Sequence, residues 1–203
     1  MKIICVGRNY AAHASEMGSD VPEVPMLFMK PPSALLVNNK PLYYPDFTKN
    51  LHYEGEIVLK MAKNGRHIDI NHAHNYYSEI AFGFDFTARD LQAQCKQSGT
   101  PWEIAKGFDN SAGLSPFVSL ESLKDSNEIK FRTVLNGHTV QAGDTKDLIF
   151  SFDHIISYAS RFFKIQIGDL IYTGTPSGVG PLKIGDLLEG YIEEQKLIEC
   201  EIR

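Results

Sequence analysis

The chain has 203 residues, of which 43% are hydrophobic and 22% are charged, and its formal net charge is −5. This composition is ordinary for a globular protein, and the length suits one domain over residues 1–203. A nucleic-acid partner is not expected because no basic stripe exists. The first apolar run is too short for a signal peptide or a membrane span. The three cysteines form no CxxC pair, so we expect free thiols and a cytoplasmic protein.

The predicted elements begin with a short helix over residues 9–17. Asn9 is a candidate N-cap, the alanines that follow favour helix, and Gly18 suits the position after the helix end. The segment "GSDVPEVP", residues 18–25, is rich in proline and glycine and predicts a mobile loop.

Most of the remaining chain is strand-like. The stretch "EIVLKMAKNGRHIDI" predicts a hairpin with Asn64-Gly65 as its turn, and "IKFRTVLNGHTV" predicts another at Asn136-Gly137. Helices are predicted for "ARDLQAQCKQSG", which ends at Gly99, and for "SFDHIISYASRFF". Many strands, local hairpins and few helices predict an α+β fold that is predominantly β, with a folded-over sheet.

The segment "LHYEGEIVLKM", residues 51–61, predicts a strand with two glutamates on one face. Side chains alternate along a strand, so His52, Glu54 and Glu56 point the same way, and the Cα atoms of the two glutamates lie about 6.6 Å apart. On an exposed face the pair would only aid solubility. On a buried face something must compensate two like charges. Gly55 leaves the opposite face bare, where another backbone can approach.

Asp85 is a single charge in the apolar stretch "EIAFGFDF". An aspartate among phenylalanines is costly unless it is paired. Arg89 or Lys106 can neutralise it as a structural ion pair. Alternatively, Asp85 joins Glu54 and Glu56 in a carboxylate site. Three oxygen ligands without a thiolate suit a hard cation, namely Mg²⁺ or Mn²⁺, with Ca²⁺ as a further option.

Six segments follow one another along nearly the whole chain: "VGRNYAAHASEMG", "PMLFMKPPSALL", "HYEGE", "FDFTARDLQ", "WEIAKGFDNSAGLSPF" and "GDLIYTGTPSGVGPLKIGD". In this order and spacing they resemble the fumarylacetoacetate hydrolase family, most closely its short members related to acylpyruvase and oxaloacetate decarboxylase. The resemblance implies a mixed β-sandwich roll, a small keto- or dioxo-acid substrate and a homodimer. One departure is that the short relatives tend to carry a cysteine and a proline where this chain has Ala112-Gly113.

The resemblance also implies roles for nine residues. They are Glu54, Glu56 and Asp85 as metal ligands, His13, Glu16 and Lys106 as catalytic residues, and Arg89, Gln92 and Thr175 as substrate-binding residues.

His13 and Glu16 are three residues apart and therefore lie on one helical face. Glu16 can orient the imidazole, and His13 can then activate water or move a proton. Because a Pro/Gly loop follows the helix, residues 9–25 are predicted to close over the site as a lid. Without the resemblance, a surface histidine with a casual partner would be favoured.

Two further motifs offer weaker interpretations. The glycine-rich "TGTPSGVGP" lacks the ending of a P-loop, so nucleotide binding is not expected. Its alternatives are a site where Thr175 and nearby amides hold a substrate carboxylate, or a plain turn.

His72 and His74 have no third ligand nearby in sequence, which disfavours zinc, and "NHAHN" predicts a polar helix start. His52 is either a neighbour of the metal ligands or a residue packed at the strand edge.

Three functions compete at this point. The first is a Mg²⁺- or Mn²⁺-dependent hydrolase or decarboxylase that releases pyruvate from an acylpyruvate or oxaloacetate. The second is an isomerase or oxaloacetate tautomerase that moves a proton through the same enolate, like the 2-hydroxyhepta-2,4-diene-1,7-dioate isomerases. The third is a non-enzymatic cation-binding module. The His13–Glu16 pair favours the first, because isomerisation needs no activated water.

Overall fold

The computed structural model describes residues 1–16, 18, 20–125 and 128–203. The strands in this part of the chain are β1 Ile3–Gly7, β2 Met26–Lys30, β3 Leu35–Leu36, β4 Leu51–Tyr53, β5 Gly55–Met61, β6 Tyr77–Asp85, β7 Thr87–Ala88, β8 Ala112–Leu114, β9 Val118–Ser119, β10 Lys130–Leu135, β11 His138–Asp144, β12 Leu170–Tyr172, β13 Gly180–Pro181, β14 Leu187–Ile192 and β15 Gln195–Glu201. The α-helices are α1 Ala11–Glu16, α2 Arg89–Ser98, α3 Glu103–Lys106 and α4 Phe152–Phe162.

The strands form three sheets. The largest has eight strands in the order β2-β1-β12-β5-β6-β8-β3, with β9 also paired to β6. A four-stranded sheet has the order β11-β10-β14-β15, and a small one has the order β13-β4-β7. Parallel pairs (β1 with β12, β3 with β8) occur beside antiparallel ones. This mixed architecture with few helices confirms the predicted α+β, predominantly β fold.

The main core lies on one face of the large sheet. Ile57, Leu59, Phe82 and Phe84 are fully buried there. Val58, whose side chain points the other way, belongs to a second apolar cluster on the opposite face. Because both faces of the sheet are covered, the central strands carry apolar side chains on both faces. Any charged side chain on these strands therefore needs a specific partner.

The predictions for the two longer helices hold. α2 ends at Gly99, whose φ of 66° is the left-handed conformation expected there. α4 begins after Ser151, whose side chain accepts a hydrogen bond from the His154 amide at 3.3 Å. Ile155, Ile156 and Ala159 form one buried face of α4, whereas Phe162, in the last turn of the helix, is 53% exposed.

One hairpin prediction is confirmed and the other is wrong. Asn136 (φ 50°) and Gly137 (φ 82°) join β10 to β11 in a two-residue turn. Asn64 and Gly65 do not form a hairpin turn that would pair β5 with the residues directly after Gly65. β5 pairs with β6, and a 3₁₀ helix at Ile70–Tyr76 lies between them. Asn64 instead accepts a hydrogen bond from the Ile167 amide at 2.9 Å, so a distant contact determines the local path.

The predicted strand over residues 51–61 is broken at Glu54. β4 belongs to the small sheet and β5 to the large one. The Glu54 carbonyl accepts a hydrogen bond from the Asp85 amide at 2.8 Å. The chain therefore changes sheets beside the residue with which Glu54 was predicted to cooperate.

The N-terminal helix is shorter than predicted, and Asn9 does not cap it. The Asn9 side chain is fully buried, accepts a hydrogen bond from the Phe150 amide at 2.7 Å and donates to the Thr173 carbonyl at 2.8 Å. Gly18 has the expected positive φ of 61°. Of the predicted lid over residues 9–25, Met17 and Ser19 lie outside the described residues.

The three cysteines are buried and unpaired, as the sequence predicted. Within the described ranges, no helix combines the length and the apolar character that a membrane crossing requires.

Candidate active site

Three carboxylates converge where β5, β6 and the β4–β5 junction meet. Glu54, Glu56 and Asp85 are each 5% exposed or less, and one oxygen from each lies within 4.8 Å of the others. β5 pairs with β6 so that Gly55 faces Phe84, which brings the ends of both strands together. The structure thus unites the three residues that were predicted as one cluster.

Cationic side chains neutralise two of these acids. The Lys106 ammonium lies 2.7 Å from Asp85 Oδ2 and 2.8 Å from Glu54 Oε2, and Arg89 lies 2.6 Å from Glu54 Oε1. Burial alone would raise the pKa of Glu54, but the charges of Lys106 and Arg89 outweigh burial and hold that pKa well below its usual range. Burial likewise opposes the charged form of Lys106, yet Asp85 and Glu54 raise its pKa above the usual value.

Glu56 is the acid without a cationic partner. Among the described residues its carboxylate has one hydrogen bond, from the Gly174 amide at 2.7 Å, and no ion pair. Burial, and then the charges of Asp85 and Glu54, raise the pKa of Glu56 well above its usual range. An all-oxygen donor set of this span, with one uncompensated acid, fits a hard divalent cation whose ligands lie about 2.0–2.6 Å away.

Lys30 is a site residue that sequence reasoning missed. Its ammonium is buried, lies 2.7 Å from Asp85 Oδ1, and donates to the carbonyls of Ser111 at 3.1 Å and of Lys106. The sequence gives one available signal, a lysine at the end of the apolar strand β2 and directly before two prolines. Lys30 thereby ties Asp85 to the segment that carries Lys106.

His13 and Glu16 form the predicted pair. His13 Nδ1 lies 3.1 Å from Glu16 Oε2, and because a carboxylate only accepts, the imidazole donates through Nδ1–H. His13 is 5% exposed and lines the same cavity as the three acids. Its Nε2 is therefore the nitrogen left with a lone pair for chemistry.

The glycine-rich segment after β12 donates backbone hydrogen bonds to two glutamates, Glu56 and Glu16. The Gly174 amide donates to Glu56, and the Gly178 amide donates to Glu16 Oε1 at 3.0 Å. Positive φ values of 104° and 95° at these glycines allow that course. The segment is therefore more than a plain turn, and its use of Glu16 and Glu56 was not foreseen.

Arg89, Gln92 and Thr175, for which the sequence predicted substrate contacts, all line the cavity. Gln92 Oε1 accepts a hydrogen bond from the Arg89 guanidinium at 2.7 Å. The Thr175 hydroxyl donates to the Gly55 carbonyl at 2.9 Å and accepts from the Gln141 side-chain Nε2 at 2.8 Å. Its side chain is thus already hydrogen-bonded, and the Thr175 backbone amide is a donor for which the described residues supply no acceptor.

Three further histidines, His52, His72 and His74, do not line the cavity. His52 Nε2 contacts Asn50 Oδ1 at 2.9 Å, and burial, followed by the nearby Arg89 charge, lowers the pKa of His52 to about 4. His72 and His74 are exposed on the 3₁₀ helix and belong to no metal-binding group in the described part of the chain.

One cavity opens onto this arrangement. Its lining residues are Val6, Gly7, Arg8, His13, Phe28, Glu54, Glu56, Asp85, Arg89, Gln92, Lys96, Trp102, Lys106 and Thr175. The three acids, the catalytic candidates His13 and Lys106, and the substrate-binding candidates therefore line one cavity, and Glu16 contacts it through His13.

Comparison with known proteins agrees with this geometry. A family profile described as "Fumarylacetoacetate (FAA) hydrolase C-terminal" matches residues 2–203. The chain is 43% identical over 190 residues to the human mitochondrial oxaloacetate tautomerase FAHD1, and the alignment covers 94% of this chain and 86% of the relative. It is 39% identical over 189 residues to a mitochondrial oxaloacetate decarboxylase of Dictyostelium discoideum, covering 93% of this chain and 87% of the relative.

Among solved structures, the fumarylpyruvate hydrolase from Pseudomonas aeruginosa, in complex with Mn²⁺ and pyruvate, matches with a TM-score of 0.94 and 38% identity. The match covers 100% of this chain and 89% of that chain. Profile, relatives and structure all extend over nearly the whole length, and the six segments and the acidic cluster fall inside the matched region. The chain belongs to the fumarylacetoacetate hydrolase family.

Proposed function

We propose that the protein is a Mg²⁺- or Mn²⁺-dependent enzyme that releases pyruvate from oxaloacetate or an acylpyruvate by cleaving a C–C bond. The observation that carries the proposal is the buried cluster of Glu54, Glu56 and Asp85, in one cavity with Lys106 and His13. The relatives named as oxaloacetate decarboxylase and fumarylpyruvate hydrolase support the same substrate class.

Glu54, Glu56 and Asp85 would hold the dication. When bound, it would polarise the 2-keto group of the substrate and favour the enolate that C–C cleavage leaves behind. Mg²⁺ and Mn²⁺ fit an all-carboxylate donor set, and Ca²⁺ is the alternative that the same ligands accept.

The protein's own residues divide the remaining work. Lys106 and Arg89 place positive charge beside the acids, where the keto acid's negative charge develops. Gln92 and the Thr175 amide are free to donate to the substrate carboxylate. His13, oriented by Glu16, takes a proton from water when an acylpyruvate is hydrolysed, and returns one to the enolate carbon of the product.

The bond changes balance in both reactions. In decarboxylation the C3–C4 bond of oxaloacetate breaks, CO₂ leaves, and the pyruvate enolate gains one proton. In hydrolysis, hydroxide adds to C4 of the acylpyruvate, the C3–C4 bond breaks, and the products are the carboxylic acid and pyruvate.

The test is a substrate panel with oxaloacetate, acetylpyruvate, fumarylpyruvate and 2-hydroxyhepta-2,4-diene-1,7-dioate. Each is assayed with Mg²⁺, with Mn²⁺ and with a chelator, against blanks that contain the metal but no protein. We expect pyruvate release that needs the metal, disappears in Glu56→Gln and survives in Glu23→Gln, whose exposed carboxylate lies outside the site. Metal binding without turnover of any substrate would instead favour the cation-binding module.

Oxaloacetate tautomerisation is the second candidate. It is favoured by the relatives named as tautomerases, at 41–43% identity among the mammalian proteins. The reaction moves one proton between C3 and the C2 oxygen and breaks no C–C bond, so His13 alone can serve it. Ultraviolet absorbance of the enol form, followed beside pyruvate formation, separates this activity from decarboxylation.

We further propose that residues 1–203 act as a single catalytic domain, that the protein is a homodimer and that it works in the cytoplasm. The family resemblance supports the homodimer, and the three unpaired cysteines support a reducing compartment. Several relatives are named as mitochondrial, so mitochondria are the competing location. Light scattering after size exclusion tests the dimer, and cell fractionation tests the compartment.

A further inference from the structure

We propose that Arg8 and Lys96, two cations of the cavity lining, form a second anion-binding subsite, and that the substrate is therefore a dicarboxylic keto acid. The inference rests on the proposed function, which places the 2-keto acid end of the substrate at the acidic cluster. It adds what the opposite end must be, namely a carboxylate instead of the methyl group of a simple acylpyruvate.

Arg8 is the first element of this subsite. It lines the cavity, yet its guanidinium makes no hydrogen bond or ion pair with any residue that the structure describes. Every other arginine or lysine of the cavity except Lys96 contacts a carboxylate of the acidic cluster. A charged group that faces a partly enclosed cavity without a partner is available to a ligand.

The backbone holds Arg8 in an unusual conformation. Its φ is 62°, a left-handed value that a non-glycine residue adopts only when its surroundings enforce it. The next residue, Asn9, supplies the enforcement, since its buried side chain exchanges two hydrogen bonds with the Phe150 backbone and donates to the Thr173 carbonyl. Strain maintained in this way at a cavity wall is typical of a binding residue.

Lys96 is the second element. It lies on α2, two turns after Arg89, with its ammonium 5.6 Å from the centre of the Trp102 ring. Partial burial of the ammonium, followed by the charges of Arg8 and Arg89, lowers the pKa of Lys96. Cationic groups that destabilise one another gain most when an anion enters between them.

Charge balance points to the same substrate. The cavity lining holds three acids, Glu54, Glu56 and Asp85, against four cations, and the buried Lys30 adds a fifth beside Asp85. A bound dication would increase the positive excess further. A substrate with one carboxylate leaves much of that excess uncompensated, whereas a dianion places its second charge at Arg8 and Lys96.

The experiment uses two stable acids of equal length, 2-oxoglutarate and 2-oxopentanoate, which differ only in a terminal carboxylate or methyl group. Calorimetry with the Mg²⁺-loaded protein measures both dissociation constants in the wild type, in Arg8→Gln, in Lys96→Gln and in the double variant. Arg66→Gln and Lys63→Gln remove exposed cations elsewhere and serve as matched controls.

We expect the wild type to bind 2-oxoglutarate roughly tenfold or more tightly than 2-oxopentanoate, as a charge-assisted hydrogen bond provides. Each site variant should lose most of this preference while its affinity for 2-oxopentanoate stays within about twofold, and the control variants should keep the preference. A wild type that binds both acids equally, or a double variant that retains the preference, would overturn the subsite alone. If neither acid bound even with Mg²⁺, the proposed function would fail, and the subsite with it.

Discussion

Glu16 accepts a hydrogen bond from the Gly178 amide at 3.0 Å, which attaches helix α1 to the glycine-rich segment after β12. The same carboxylate receives Nδ1–H of His13. The predicted lid is therefore held down by the residue that orients the proposed base. Opening the lid would break the Glu16–Gly178 contact, while the His13–Glu16 pair, which lies within α1, would move with the helix.

The first prediction concerns this contact. Glu16→Ala should speed amide hydrogen exchange across residues 9–16 by about tenfold, since hydrogen bonds to a charged group contribute about 1.5–3 kcal/mol. Oxalate with Mg²⁺ should slow exchange in the wild type over the same segment. Exchange followed by mass spectrometry measures both effects, and Glu23→Ala, an exposed acid of the following loop, is the control. A lid mechanism would be untenable if exchange were unchanged by the two ligands.

The second prediction concerns the metal. Asp85→Asn should weaken Mg²⁺ binding by at least about tenfold and abolish pyruvate release, because one of three ligand charges is removed. The substitution also leaves Lys30 without its carboxylate, and breaking a buried pair typically costs about 3–5 kcal/mol. The double variant Lys30→Met, Asp85→Asn separates the two effects, since it removes the unpaired charge without restoring the ligand.

Calorimetric titration with Mg²⁺ checks this expectation, and Asp109→Asn, an exposed acid, is the control. Full-strength Mg²⁺ binding in Asp85→Asn would contradict the three-carboxylate site.

The third prediction divides the chemistry between His13 and Lys106. General-base catalysis contributes typically about 10²–10⁴-fold in rate, so His13→Ala should lower acylpyruvate cleavage by about that factor at saturating Mg²⁺. Exchange of the C3 protons for deuterium should fall less, because Lys106 remains to favour the enolate. Lys106→Ala should impair both reactions.

NMR of C3 deuteration beside product formation provides the measurement. Equal losses of exchange and cleavage in His13→Ala would mean that His13 itself moves the C3 proton, which would make tautomerisation the better proposal.

The fourth prediction concerns acid stability. Burial, followed by the nearby Arg89 charge, lowers the pKa of His52 to about 4, so the folded protein favours the neutral imidazole. Its stabilising contribution is therefore complete above the unfolded pKa of about 6.5 and is lost as the pH falls toward 4. His52→Gln should make the free energy of unfolding less dependent on pH in this interval.

Urea unfolding of the wild type and His52→Gln at several pH values between 4 and 7 tests the slope. His138→Gln, which removes an exposed histidine of the β10–β11 hairpin, is the control. Parallel pH curves for the wild type and His52→Gln would refute the assignment.

The fifth prediction concerns Gly55, between the two glutamates. A Cβ atom there would lie 2.1 Å from Thr133 Oγ1 and 2.9 Å from a Phe82 ring carbon. Gly55→Ala should therefore destabilise the fold by about 1–3 kcal/mol. Gly7→Ala, whose Cβ would meet its nearest neighbour at an ordinary 3.4 Å, is the control, and thermal unfolding is the measurement. Equal stability of the two variants would show that the packing around Gly55 yields more readily than we expect.

Local rules predicted the parts of the site that depend on local geometry. Strand alternation placed Glu54 and Glu56 on one face, and helical spacing joined His13 to Glu16. The same rules failed where distant contacts decide. Asn9 suits a helix cap, yet it binds the backbone at Phe150 and Thr173, and Asn64 suits a turn, yet it binds Ile167. Lys30 escaped notice because its partners lie 55 residues or more away along the chain and several are backbone carbonyls, which no side-chain pattern records.

The lysine that bridges Asp85 and Glu54 has a consequence for how the molecule is made. Lys106 and Lys30 belong to the same polypeptide as Glu54 and Asp85, the acids that they neutralise. The newly synthesised chain therefore contains the positive charge needed to bury these two carboxylates. Under the proposed function, Glu56 is the ligand whose charge only the dication would neutralise. The fold would then form before the metal binds, and a cell short of divalent cations would accumulate folded but inactive protein.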